Sequence, residues 1–314
     1  MKKLLVTASL LALSYNLACA ETVGISMSTF DDNYQTVMRN KILDYAGTLN
    51  GVEVQIEDAQ GDISKQLAQV QNFIASGVDA IMITLVDTSS SQAITDAAKA
   101  AGIPLIYMNL QPINLDTLPE KQIYVGANEV ESGTLAAFEA CKLLRAKGKT
   151  EGIRAYIMIG DLSHAASLQR TKDVHDVTAM DMCKFIDITQ EQEAKWSRER
   201  GQSLVTNWLT TGDRIDVIFA NNDEMALGAT QALKAAGINM DDVIVTGVDA
   251  TADALMAMKA GDLDVTVFQN GSAIGTRSLD AALAMVKGKK VEQVTYIPFE
   301  LVTPSNVDEF LGKN

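Results

Sequence analysis

The chain has 314 residues, 47% hydrophobic and 21% charged, with 21 glycines and 5 prolines. At about 150 residues per domain, this is two lobes or one large α/β domain, and disorder, collagen-like repeats and disulfide-dense miniature scaffolds are excluded. A formal charge of −14 argues against nucleic acid or anionic lipid as the principal partner.

The N-terminus reads as an export signal. Met1-Lys2-Lys3 is a short positive start, Leu4 to Leu13 is apolar, and Ala18-Cys19-Ala20 before Glu21 has the small-x-small form of a cleavage site. A first core helix is the competing reading, but the segment is too short to span a membrane and ends in a cleavage pattern. A lipoprotein signal at Cys19 is disfavoured by Asn16, which stands where an apolar residue is wanted. Cleavage after Ala20 removes Lys2 and Lys3 and leaves a mature charge of −16. No later stretch approaches 18 uninterrupted apolar residues, so the mature protein is expected to be soluble and periplasmic. An oxidising compartment allows a bridge between Cys141 and Cys183, but their spacing does not indicate one, and two buried free thiols are expected. Neither lies in a CxxC pair, so zinc and thiol-redox chemistry lack support.

Along the mature chain, apolar runs at Thr22 to Met27, Val52 to Asp58, Asp79 to Thr84, Ile103 to Met108, Ile153 to Ile159, Ile215 to Ala220 and Val243 to Val248 read as strands. Helical periodicity falls between them, at Gln35 to Leu49, Ile63 to Ser76, Ser90 to Ala101, Ser132 to Lys147, Met225 to Ala236 and Ala252 to Lys259. Several helices end at glycine, as in Ser76-Gly77 and Ala101-Gly102. Such alternation implies βαβ crossovers and mostly parallel sheets covered on both faces, an α/β fold. Ala100-Ala101-Gly102-Ile103 recurs as Ala235-Ala236-Gly237-Ile238, consistent with two similar lobes.

Ligands of open α/β sheets bind beyond the carboxyl ends of the strands. The first strand delivers Ser28-Thr29-Phe30-Asp31-Asp32-Asn33-Tyr34 there; later ones deliver Asp87, Asn109, Asn221-Asn222-Asp223, Asp249 and Gln269-Asn270. Amides and carboxylates can pair with neighbouring hydroxyls, and aromatic faces cover the C–H face of a saturated ring, so the set suits a small polyol. Any one of these residues could instead be serving a turn or an N-cap; their repetition over several strands favours the functional reading.

Phe219-Ala220-Asn221-Asn222-Asp223-Glu224-Met225, then Gly247-Val248-Asp249-Ala250-Thr251, then Val265-Thr266-Val267-Phe268-Gln269 resemble, in that order, the periplasmic sugar-binding proteins of ABC transporters, of the ribose-binding type. The resemblance covers essentially the whole mature chain. It implies two Rossmann-like lobes with parallel sheets joined by a three-strand hinge, the type I periplasmic binding protein fold. Residues 21–127 plus 270–298 would form the N-terminal lobe, and 128–269 plus 299–314 the C-terminal lobe, after a signal peptide at 1–20.

By the same resemblance, Asn222, Asp249 and Gln269 are polar ligand contacts, Arg170 addresses ring hydroxyls, and Trp196 stacks on the ligand. Asp32 and Tyr34, with Phe30, occupy the contributing first-lobe loop. Asn109 stands where the family often has Asp, and Leu110 where ribose-type members have Arg, which counts against ribose. Phe30-Asp31-Asp32-Asn33, Glu57-Asp58-Ala59-Gln60 and Tyr296-Ile297-Pro298-Phe299 look closest to inositol- and rhizopine-binding members. The expected ligand is therefore a cyclitol, myo-inositol or an aminocyclitol rhizopine, with a pentose or hexose as the alternative. Asp32 and Asp249 against Arg170 leave one net negative charge, which an amine-bearing cyclitol would exploit.

His164 follows the strand end Ile159-Gly160-Asp161 and is a candidate ligand-side residue, whereas His175 reads as structural. No metal-ligand spacing, P-loop, G-x-S-x-G or HExxH occurs, so no cofactor or metal is expected, and binding rather than catalysis. A sugar-responsive repressor would carry a helix-turn-helix where this chain has an export signal. The expected partners are a cyclitol or sugar and the membrane permease of an ABC transporter, with a chemoreceptor compatible, for a protein acting as a monomer without nucleic acid.

Overall fold

A computed structural model describes residues 20–212 and 214–314; residues 1–19 of the expected signal segment lie outside them. Strands and helices alternate as β1 (Glu21–Met27), α1 (Asn33–Ala46), β2 (Val52–Asp58), α2 (Ile63–Ser76), β3 (Ala80–Ile83), α3 (Ser91–Ala101), β4 (Leu105–Asn109) and β5 (Gln122–Gly126). There follow α4 (Glu129–Ala146), β6 (Ile153–Ile159), α5 (Ala165–Thr178), β7 (Ile186–Glu193), α6 (Arg198–Thr210), β8 (Val217–Ala220), α7 (Asp223–Ala235), β9 (Ile244–Thr246), α8 (Ala252–Lys259) and β10 (Thr266–Phe268). The chain then returns through α9 (Gly271–Val286) and β11 (Val294–Tyr296) and ends after β12 (Glu300–Val302).

Two parallel sheets result. The first has the order β11-β5-β4-β3-β1-β2 and the second β7-β6-β8-β9, while β10 and β12 form an antiparallel pair linked to the β9 side of the second sheet by bridges at Thr246–Val265 and Asp249–Phe268. Every residue of β3, β4 and β5 is buried, as expected where helices cover both faces of a parallel sheet. Separate apolar clusters flank each sheet: one around Ile25, Met38 and Ile274 and another around Phe73, Ile94 and Tyr107 in the first lobe, with their counterparts around Trp208 and Met225 and around Ile157 and Val177 in the second. Close packing is set by glycine at two points. A Cβ on Gly24 would lie 2.6 Å from the Phe73 ring, and one on Gly275 would lie 2.7 Å from Ile42, so these residues let α2 approach β1 and α9 approach α1.

The expected strands and helices are present, with several additions. β7 reads IDITQEQE; as an edge strand with much of its surface exposed it lacks the apolar run that reveals buried strands. The faces of α5 and α6 that meet their neighbours carry Ala166, Ser167, Arg170 and Gly201 beside Val174 and Val205. That mixture of small and polar groups hides the 3.6-residue period.

One expectation is overturned. Cys141 and Cys183 are not free thiols but a disulfide, with Cα atoms 5.7 Å apart. The packing of α4 on α5 and the pairing of β6 with β7 bring together cysteines 42 residues apart, a proximity that spacing cannot reveal. Closing a loop of that length restrains the unfolded chain by about 4 kcal/mol. No helix among the described residues is long and apolar enough to cross a membrane.

Candidate functional site

The carboxyl ends of both sheets face one another across a small cavity, the place where ligands of open α/β sheets bind. From the first lobe it is lined by Asp32, Tyr34, Gln35, Asn109 and Leu110, and from the second by His164, Ala166, Arg170, Trp196, Asn222 and Asp249, with Gln269 between. Nine of the ten expected site residues meet here. Phe30 does not: its ring packs against the first lobe's core with the Arg39 guanidinium 4.1 Å above it, and its N–H donates to Asp58. Asp87 also stays outside, capping the short helix at Thr88 by accepting from the Ser89 N–H.

Each side chain is presented by local chemistry. Asp32 and Asn222 are the N-caps of α1 and α7, accepting from the amides of Gln35 and Met225, so capping and lining are done by the same residues. Asn109, Trp196 and Asp249 have positive φ (66°, 62° and 123°), a strained state for residues with a Cβ that costs about 1–3 kcal/mol each and concentrates at ligand sites. Asp249 is held there by its N–H donating to Val267 and by Asn314, whose Nδ2 donates to the carbonyls of both Asp249 and Gln269. Trp196 lies over Gly160, where a Cβ would meet the indole at 2.2 Å.

A polar chain then crosses the cleft. Arg170 Nη2 donates to Gln269 Oε1 (3.2 Å), and Gln269 Nε2 donates to Asn109 Oδ1 (2.9 Å); this orders both amides and leaves Asn109 Nδ2 as a donor toward the cavity. Trp196 Nε1 donates to His164 Nδ1 (3.0 Å). Because indole can only donate, the proton of neutral His164 sits on Nε2 and is donated to the Val86 carbonyl of the other lobe (2.9 Å). Thr88 Oγ1 donating to Ser163 and Asn33 Nδ2 donating to Glu224 add further contacts between lobes. The cleft is closed.

Other groups lack partners. Tyr34 Oη is buried without one, and burial with the nearby Asp249 charge raises its pKa well above the phenolic range, keeping it a neutral hydroxyl. Neither Asp249 carboxylate oxygen accepts a hydrogen bond from the described residues, and burial followed by the charge of Asp223 raises its pKa strongly. Burial likewise raises Asp32, against the Gln35 amide that lowers it. Such groups are costly when buried alone, and together they can receive hydroxyls or a cation beside the Trp196 ring. Among the described residues no cluster of His, Cys, Asp and Glu could hold a metal ion.

Four contributors come from outside the ten expected site residues. Glu129 accepts from Arg170 Nε at 2.8 Å and Nη2 at 3.3 Å, and Asn221 offers its carbonyl to Nη1 at 2.8 Å. Asp223 lies under the Asp249 loop and accepts from the Thr251 N–H and the hydroxyls of Thr251 and Thr266. Burial nevertheless pushes its pKa up to about 7. Asn314 clasps the loop as described. Only Asn221 and Asp223 had a signal, lying inside the Asn221-Asn222-Asp223 motif; Glu129 and Asn314 come from segments with none.

Residues 23–290 match the periplasmic binding protein domain. The chain is 54% identical, over the full length of both, to a Rhizobium meliloti protein named "Putative rhizopine-binding protein". Among solved structures, an ABC transporter solute-binding protein from Bacillus halodurans with bound myo-inositol is 40% identical, with a TM-score of 0.87 over 95% of this chain and 99% of that one. The Caulobacter myo-inositol-binding protein bound to myo-inositol is 27% identical, with a TM-score of 0.83 over 94% and 98%. Their agreement with the two facing parallel sheets and the cavity between them identifies this chain as a member of the periplasmic binding protein family.

Proposed function

We propose that the protein captures a cyclitol, myo-inositol or an aminocyclitol, in the periplasm and delivers it to the permease of an ABC importer. The observation that carries this reading is the partnerless set around the cavity: the Asp249 carboxylate, the free oxygen of Asp32, the Tyr34 hydroxyl and Asn109 Nδ2, arranged beside the Trp196 ring. A saturated six-membered ring with hydroxyls around its rim satisfies these groups while its C–H face covers the indole. Leu110 closes one wall with an apolar side chain, leaving no bidentate donor there for a ribose-type contact. The rhizopine- and inositol-binding relatives support the same ligand class.

Binding requires lobe closure and no bond chemistry. The chain crosses between the sheets near 127–128, 269–270 and 298–299, where Ala127, Val248, Val267 and Phe299 form a small apolar cluster; these crossings are the hinge of the proposal, and the lobes divide there. One chain carries the whole cavity, so the binding unit is a monomer, exported by removal of residues 1–20. The closed second lobe presents its surface to the permease, and a chemoreceptor could read the same state.

Calorimetry on residues 21–314 tests the reading, with myo-inositol, scyllo-inosamine, ribose and galactose as ligands. Tight binding of either cyclitol with weak or no binding of the two sugars is expected. Tight ribose or galactose binding with none for the cyclitols overturns it.

A further inference from the structure

Arg170 and Glu129 are both buried, with side chains 5% and 9% exposed. A guanidinium carries five N–H donors. Here Nε and one Nη2 donor go to Glu129, the other Nη2 donor to Gln269 and one Nη1 donor to the Asn221 carbonyl, so one remains for a ligand. Glu129 begins α4 immediately after the crossing from the first lobe and does not line the cavity. Its two oxygens are engaged by Arg170, with Ser132 Oγ also donating to one of them. The site's one cation is thereby cancelled from behind, while Asp32 and Asp249 face the cavity with no cation paired to them.

We propose that Glu129 is a specificity-determining residue: by neutralising Arg170 it leaves the charges of both Asp32 and Asp249 uncompensated, rather than one of them, and so selects a ligand bearing a protonated amine over the neutral polyol of the same shape. This rests on the cyclitol reading above. Glu129 acts through Arg170 and touches no ligand, so it is a positioning residue. Its signature is a change in the ratio of two affinities, whereas loss of packing alone would weaken both ligands alike.

The test is calorimetry at pH 7.5 with scyllo-inosamine, with scyllo-inositol, which differs from it only by a hydroxyl in place of the amino group, and with myo-inositol; the preference read is that for the amine over scyllo-inositol. Wild-type protein is expected to bind the amine more tightly. Glu129→Gln, which keeps shape and removes the charge, is expected to cut that preference about tenfold or more, the scale of one elementary charge acting across a partly screened interior. Glu129→Asp is expected to hold it within about threefold, because the charge stays. The double variant Glu129→Gln with Arg170→Gln binds all three ligands more weakly but recovers the preference, because a neutral pair again stands behind the cavity. It also leaves no lone buried charge, so it decides the matter if Glu129→Gln alone does not fold.

An unchanged ratio in Glu129→Gln, or a lost preference in the double variant, overturns the role of Glu129. Wild-type binding of scyllo-inositol without preference for the amine overturns it too, leaving the cyclitol reading standing. Wild-type protein that binds none of the three cyclitols overturns the cyclitol reading itself, and this inference with it.

Discussion

The floor beneath the cavity and the cavity wall each hold a buried aspartate, and the two are furnished in opposite ways. Asp223 in the floor accepts from three donors of Thr251 and Thr266. Asp249 in the wall accepts none, sits on a strained backbone with φ of 123°, and lines the cavity. Burial raises both pKa values, so neither burial nor titration separates them. The inventory of donors does: a carboxylate satisfied by its own chain stabilises the fold, and one left unsatisfied is available to a ligand.

The contrast breaks most readily at the floor. Asp223→Ala orphans three buried donors and is expected to lower the stability of the ligand-free protein by about 3–4 kcal/mol, measured by urea unfolding. A loss under 1 kcal/mol would erase the distinction. Asp249→Asn should do the reverse, leaving ligand-free stability unchanged or higher because an unpaired buried acid is removed, while weakening an aminocyclitol about 100-fold, or about 2.7 kcal/mol. Calorimetry and urea unfolding on one preparation read both effects.

The pH dependence sharpens the comparison. A raised acid holds its proton in the folded state after the unfolded chain has released it, so stability falls as pH rises from the unfolded carboxylate value toward the folded one. Asp223, pushed up to about 7, and Asp249 act in the same direction. The ligand-free protein is therefore expected to be less stable at pH 7.5 than at pH 5.5, each group contributing at most about 1.4 kcal/mol per pH unit. An ammonium on Asp249 displaces its proton, so the affinity for an aminocyclitol should increase over that interval while that for myo-inositol does not. Parallel curves for the two ligands would contradict the assignment of Asp249.

The smallest expected effect concerns how the wall is held. Trp196→Phe keeps an aromatic face but deletes the N–H that fixes His164. It should cost about 1 kcal/mol, the value of one hydrogen bond, seen as roughly fivefold weaker binding of both cyclitols. A change confined to one ligand would place the indole N–H on that ligand instead.

Much of this was legible in the residues. Alternating apolar runs and glycine-terminated helices specify parallel sheets, because both faces of such a sheet must be covered; ligand sites lie at carboxyl strand ends, which pointed to seven of the nine expected residues that line the cavity, while Arg170 and Trp196 were named from the family resemblance. Phe30 could not be separated from Tyr34 by pattern, since two aromatics in one loop look alike until the cap at Asp32 turns one inward and Arg39 covers the other. Edge strand β7 was hidden by its polarity, and the disulfide by a spacing that carries no distance.

What the amino-acid order determined by itself was local: which segments become strands and helices, where caps fall, and which polar types arrive at strand ends. Three-dimensional packing alone decided how charges divide, because Glu129 meets Arg170 across 41 residues and Gln269 meets Asn109 across 160. Whether a buried charge is spent inside the protein or left for a ligand is a property of neighbours in space, since Coulombic and hydrogen-bond energies depend on separation in ångströms and not along the chain.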